Sequence, residues 1–159
     1  MDAIKVGMAD LNIVKEGTLV TLGLGSCVGI AIYDKRKKIA GLAHIMLPSS
    51  KEIKNNSNKA KFADSGIELL INKMESIGAN KINMVAKLAG GAQMFKFNNN
   101  NDILKIGERN IIASKSKLKE LGIKLISEDT GGNFGRTIEF SSYDGSLKIK
   151  TIGFGMKII

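Results

Sequence analysis

The apolar and polar positions fall into short blocks whose period changes at glycines and charged clusters. Residues 28–34 form a short, β-branched run bounded by glycine and predict a strand. The polar tetrapeptide Lys35-Arg36-Lys37-Lys38 suits a hairpin turn, residues 39–47 read as the return strand, and Pro48 ends it. Upstream, residues 18–22 predict a strand leading into a glycine bend. Residues 49–61 are polar and rich in lysine and asparagine, so they predict a surface loop. From 59 to 77 the apolar residues Phe62, Leu69, Leu70, Met74 and Ile77 fall at helical spacing, and Gly78 caps the end. Residues 81–88 predict a strand running into Gly90-Gly91-Ala92, and the asparagine run 98–101 predicts a loop. Residues 107–121 predict a second helix with Gly122 as its stop. Strands follow at 123–127 and 137–140, and the Asp144-Gly145 turn leads to a last strand at 147–151, a hairpin signature. Strands outnumber helices and the order is mixed. The predicted fold class is α/β, a layered sandwich of mixed β-sheets with two main helices packed outside. No linker or repeat divides the chain, so 1–159 reads as a single domain.

The candidate chemistry lies beside the first hairpin. The only cysteine, Cys27, sits in Thr21-Leu22-Gly23-Leu24-Gly25-Ser26-Cys27-Val28-Gly29, and the only histidine, His44, lies on the return strand. A thiolate is the reactive form of cysteine, and histidine is the side chain suited to generating it at neutral pH. With the turn centred between Arg36 and Lys37, Asp34 pairs with Ile39 and Gly29 with His44. Cys27 then faces Met46, and Cys27 and His44 become diagonal neighbours on one sheet face, about 7–8 Å apart at the backbone. An odd-length turn would put them on opposite faces. Gly23 and Gly25 are expected to take positive φ and to aim successive N–H groups inward, a nest for an oxyanion built on Gly25, Ser26 and Cys27. The bland alternative is a buried small hydrophobe and a structural histidine. As a phosphate loop the segment fails, because position 28 is valine and no Walker lysine follows.

Composition narrows the classes. A chain of 159 residues can bury a core without disulfides or metal. One cysteine excludes an internal disulfide and fits a reducing cytoplasm. One cysteine and one histidine cannot supply the four ligands of a structural zinc site, and no metal or cofactor is expected. Residues 1–7 lack a secretory leader pattern, and no apolar run approaches the roughly 20 residues of a membrane span. The formal charge of +9 suggests nucleic acid, but of 24 basic residues only Arg36, Arg109 and Arg136 are arginine, aromatics are scarce, and no RNP-like or zinc-finger pattern occurs. Nucleic acid is therefore not an expected partner, whereas a basic surface could attract an acidic protein.

The segments Thr21-Leu22-Gly23-Leu24-Gly25-Ser26-Cys27-Val28 and Gly41-Leu42-Ala43-His44-Ile45-Met46-Leu47-Pro48 together resemble the bacterial chemoreceptor glutamine deamidase family CheD. Phe62-Ala63-Asp64, Lys87-Leu88-Ala89-Gly90-Gly91-Ala92, Ile106-Gly107-Glu108-Arg109-Asn110 and Gly131-Gly132-Asn133-Phe134-Gly135-Arg136 agree, in the family's order. The resemblance implies an α/β sandwich shared with cysteine hydrolases that include deamidating toxins. It implies Cys27 and His44 as catalytic residues and Thr21 as the group that orients the histidine, although Thr21 alone reads as a β-branched strand residue. It further implies chemoreceptors as substrate and the phosphatase CheC as regulatory partner; the lone cysteine predicts a cytoplasmic location, and methyl glutamate entering the same thiol chemistry predicts a secondary methylesterase activity. Phe62 stands where tyrosine is often expected, which touches no catalytic role. Gly90, Gly91, Gly132 and Arg136 are candidates for a substrate loop; the plainer reading, a strand-to-loop bend and a tight turn bearing a surface arginine, is favoured. A cysteine hydrolase of other specificity and a non-catalytic adaptor stay open on sequence.

Overall fold

A computed structural model describes residues 3–94 and 105–159. Its centre is the hairpin of β4 (Val28–Asp34) and β5 (Ile39–Ile45), paired from Val28↔Ile45 through Gly29↔His44 to Asp34↔Ile39. This is the register that an even turn dictates. Asp34 sets it: its buried carboxylate accepts from the N–H groups of Arg36 and Lys37, each at 2.9 Å, and from Asn80 N–H at 2.8 Å. An aspartate closing its own turn in this way leaves little freedom for the strands to slip.

Every residue of β4 and β5 is buried, so both faces of the hairpin are covered. Together with β2 (Asp10–Val14), β6 (Met84–Gly90) and β7 (Lys124–Thr130) they form a mixed sheet in the order β2-β5-β4-β6-β7, in which only β6 and β7 run parallel. One face, through Val28, Ile30, Ile32 and Ile45, packs on α1 (Ala63–Ser76) and α2 (Ile106–Glu120). Ile67, Leu70, Ile71 and Met74 of α1 enter that core, and full burial of each stabilises by roughly 1.5–3 kcal/mol. The other face, through Ala31, Tyr33, Ala40 and Leu42, packs on a second mixed sheet. That sheet runs β1-β3-β8-β9-β10, built from β1 (Ile4–Lys5), β3 (Thr18–Leu24), β8 (Arg136–Ser141), β9 (Leu147–Thr151) and β10 (Gly155–Ile158). The result is sheet on sheet with both helices outside, as the sequence predicts.

Several boundaries differ, each for a local reason. Residues 81–83 form a 3-10 turn rather than strand, because the Asn80 side chain accepts from Ile82 N–H at 3.1 Å. Residues 59–61 form a separate 3-10 turn before α1. Gly78 and Gly122 close the helices with φ of +105° and +74°, as expected of helix stops. The strands β1 and β10 carry little burial of their own; β10 is exposed throughout and is held by its ladder to β9. The edge strand β2 was also not predicted, although it alternates Leu11 and Ile13 with polar residues and sends Leu11 into the helix-side core. The asparagine run 98–101 lies outside the described residues.

Candidate active site

The site is built where β3 leaves one sheet and β4 enters the other. Gly23 takes φ +67° and starts the bend. Gly25 does not: its N–H turns back to Gly23 O at 3.0 Å, and its bare Cα admits Met94, whose Cγ would lie 3.2 Å from an added Cβ. The expected pair of left-handed glycines is thus corrected to Gly23 alone, and the Gly25 N–H is no inward donor.

The three carbonyls that follow are each held from outside the bend. Gly25 O accepts from Ala92 N–H and Cys27 O from Gly91 N–H, both at 2.8 Å, and Ser26 O accepts from Asn110 Nδ2 at 2.9 Å. In a trans peptide the N–H points opposite to the C=O. Fixing the carbonyls of Gly25 and Ser26 therefore turns the N–H groups of Ser26 and Cys27 the other way. Burial pushes the Cys27 thiol above its ordinary value, and the residue's own N–H opposes that shift.

His44 sits one pair from the end of the β4–β5 ladder, opposite Gly29 of β4 and Asp10 of β2. Alternation along the strands puts Cys27 and His44 on the face turned toward the second sheet, and Thr21 of β3 meets His44 from that sheet. The Thr21 hydroxyl lies 2.6 Å from His44 Nδ1 and 2.7 Å from Val6 O. The carbonyl can only accept, so the single hydroxyl hydrogen goes to Val6 and the oxygen accepts from Nδ1–H. The neutral imidazole then carries its proton on Nδ1 and a bare lone pair on Nε2. That nitrogen is buried and has no partner among the described residues, and burial lowers the imidazole below its ordinary value. Burial thus favours the uncharged form of both groups, a thiol at Cys27 and an imidazole protonated on Nδ1 at His44.

The glycine and arginine candidates brace the bend. At Gly90, φ +104°, an added Cβ would stand 2.4 Å from Cys27 O. Gly131 N–H bonds Gly90 O and Gln93 N–H bonds Gly132 O, each at 2.9 Å, tying the two glycine segments together. Arg136 is not a surface residue. It is 2% exposed, donates from Nε to Asp129 Oδ2 at 3.1 Å and lies over the Phe134 ring at 4.5 Å. Its burial follows from its place on a central strand between β3 and β9, with Asp129 reaching it from the other sheet. Asn110, fully buried, is a contributor that the residue pattern alone left without a role. The signal was a polar side chain on the buried stripe Gly107, Asn110, Ser114, Leu118 of α2.

Among the described residues no three His, Cys, Asp or Glu gather as a metal site, and no helix is long and apolar enough to cross a membrane. The arrangement suits nucleophilic attack by a thiol on a carbonyl, with one imidazole moving the proton.

The family model described as CheD chemotactic sensory transduction matches residues 46–151. A probable chemoreceptor glutamine deamidase CheD of Caldanaerobacter subterraneus is 60% identical over 157 residues, 98% of this chain and 97% of the relative. One of Lachnoclostridium phytofermentans is 54% identical over 159 residues, and the chemoreceptor glutamine deamidase CheD of Halalkalibacterium halodurans is 53% identical over 160; both alignments cover 99% of each chain.

Proposed function

The chain belongs to the CheD family, and from that premise we propose that it deamidates chemoreceptor glutamines with Cys27 as nucleophile, His44 as base and acid, and Thr21 as the residue that orients the imidazole. The observation that carries this reading is the Thr21 hydroxyl, which leaves the free lone pair of His44 on Nε2, on the face it shares with Cys27.

Nε2 takes the thiol proton as Cys27 Sγ attacks the side-chain carboxamide carbon of a receptor glutamine. The oxyanion accepts from the N–H groups of Ser26 and Cys27. The imidazolium returns its proton to the amide nitrogen, the C–N bond breaks, and ammonia leaves a thioester. Water, deprotonated by Nε2, attacks that carbonyl; the C–S bond breaks, the thiol regains its proton, and glutamate remains. A methyl glutamate enters the same cycle with methanol as leaving group, which gives the secondary methylesterase activity. Each product adds a negative charge to the receptor and so biases chemotactic signalling. The phosphatase CheC is the proposed regulatory partner, competing with receptor for access, and the cytoplasm is the proposed location.

Mass spectrometry of a purified receptor cytoplasmic fragment incubated with wild type, Cys27→Ala and His44→Ala tests the proposal. Glutamine-to-glutamate conversion by wild type alone is expected. Equal conversion by Cys27→Ala, or none by wild type on a folded receptor, would overturn it.

A further inference from the structure

The β4–β5 ladder stops at Val28↔Ile45, one residue short of both Cys27 and Met46. Beyond that point β5 turns away, and Met46 N–H bonds Lys61 O at 2.8 Å instead. The gap is closed by one side chain. Asn110 Nδ2 donates to Ser26 O and to Met46 O, each at 2.9 Å. Both neighbours are acceptors, so the amide nitrogen must face them, and Oδ1 is left buried without a partner among the described residues. The helix that carries Asn110 is seated on the same loop: a Cβ at Gly107 would lie 2.4 Å from Ala92 O, and Ala92 N–H in turn holds Gly25 O.

Resting on the Cys27–His44 reading above, we propose that Asn110 is a positioning residue that sets the plane of the Ser26–Cys27 peptide and ties the nucleophile bend to the end of the histidine strand. Of the three donors that hold the carbonyls of residues 25–27, two are backbone N–H groups of Ala92 and Gly91. Asn110 is the only side chain among them, so its bond is the one a substitution removes cleanly. Without it the Ser26 carbonyl rotates to find water, and the Cys27 N–H swings away from where the oxyanion forms. The second bond, to Met46 O, keeps the strand bearing His44 at its spacing from the thiol where no ladder bond remains.

The test compares Asn110→Ala and Asn110→Asp with wild type and Cys27→Ala. Aspartate keeps the shape and turns a carboxylate toward two carbonyls, so it separates the donor from mere packing. Receptor-fragment deamidation is expected to lose about 10- to 100-fold in kcat in both variants, as for a misdirected oxyanion donor, with KM changed less than about twofold. Iodoacetamide alkylation of Cys27 followed against pH should shift to higher pH in both, because the thiolate loses its own N–H; a purely structural role would not move that profile. Wild-type kcat and an unshifted profile in either variant overturn the proposal. Loss of a cooperative thermal melt in both overturns it as well, by assigning Asn110 to fold stability. Activity surviving in Cys27→Ala instead removes the nucleophile reading, whatever the Asn110 variants do.

Discussion

Thr21→Val removes one oxygen and almost no volume, which makes it the sharpest probe of the tautomer argument. Two buried groups lose their partner, the Nδ1–H of His44 and the carbonyl of Val6, now 2.6 and 2.7 Å from the hydroxyl. An unpartnered buried polar group costs about 1–3 kcal/mol, and single substitutions rarely exceed about 4 kcal/mol, so a destabilisation of about 2–4 kcal/mol is expected. The effect on rate has a separate origin. Without an acceptor at Nδ1, the imidazole is free to carry its proton on Nε2, where it cannot accept from the thiol. Tautomer mixing alone costs a few-fold at most; the larger loss is the hydrogen bond that the imidazolium donates through Nδ1 as it forms, about 1–3 kcal/mol, which at about 1.4 kcal/mol per decade is a fall of roughly 5- to 150-fold in kcat/KM. Initial rates of receptor-fragment deamidation, taken below the melting temperature of every variant, measure it. Thr21→Ser keeps the hydroxyl and should retain most of the rate. Wild-type kcat/KM in Thr21→Val, or equal damage in Thr21→Ser, would refute the argument.

Burial holds His44 below 6.5 and Cys27 above 9.0. On acidification the unfolded chain takes up the imidazole proton first, so stability falls as pH drops below 6.5; on the alkaline side the unfolded chain releases the thiol proton first, so stability falls as pH rises past 9.0. Thermal melts against pH should therefore flatten on the acid side in His44→Gln and on the alkaline side in Cys27→Ala, and unchanged slopes would contradict this. Asp129→Ala strips the partner from a guanidinium whose side chain is 1% exposed; a loss of about 3–5 kcal/mol in urea unfolding is expected, and a loss below about 1 kcal/mol would show that Arg136 relaxes to solvent. Gly29→Ala puts a Cβ 2.6 Å from Ile138 Cδ1, between the sheets beside Thr21. The lowered kcat expected there should recover in Gly29→Ala/Ile138→Val, and a double-mutant cycle without coupling would count against the wedge.

The hairpin was legible because its determinants are local: a β-branched run, a polar tetrapeptide and an aspartate that closes its own turn. The register followed, and with it the shared face of Cys27 and His44. Thr21 was a different case. Its partner is on the other sheet, so residue-level reading saw only a strand threonine, and the role proposed for it came from family resemblance. Arg136 was misread for the same reason, because glycines beside it suggest an exposed turn while the burying contact with Asp129 spans the two sheets. Gly23 and Gly25 look alike in sequence, yet only the first needs a left-handed φ; the second makes room for Met94. The strand β10 escaped notice because ladder bonds at an edge, rather than burial, hold it, whereas β2 alternates Leu11 and Ile13 with polar residues and buries Leu11, a short signal that was passed over.

A threonine in the orienting position suits the chemistry as well as the geometry. A carboxylate at Nδ1 would stabilise the imidazolium and raise its pKa, whereas a neutral hydroxyl fixes the tautomer without adding charge. Burial pushes His44 further down. Such an imidazole is a weak base, which makes proton removal from the thiol less favourable before an acyl group arrives. Its conjugate acid is correspondingly strong. Expulsion of an amide nitrogen needs a proton at the moment the C–N bond breaks, since an unprotonated amide anion is a very poor leaving group. An imidazolium that gives up its proton readily favours that step over return of the thiolate. In the proposed mechanism the pairing of a hydroxyl with a buried histidine thus shifts assistance from attack toward departure of ammonia, and the N–H groups of Ser26 and Cys27 are left to stabilise the attack.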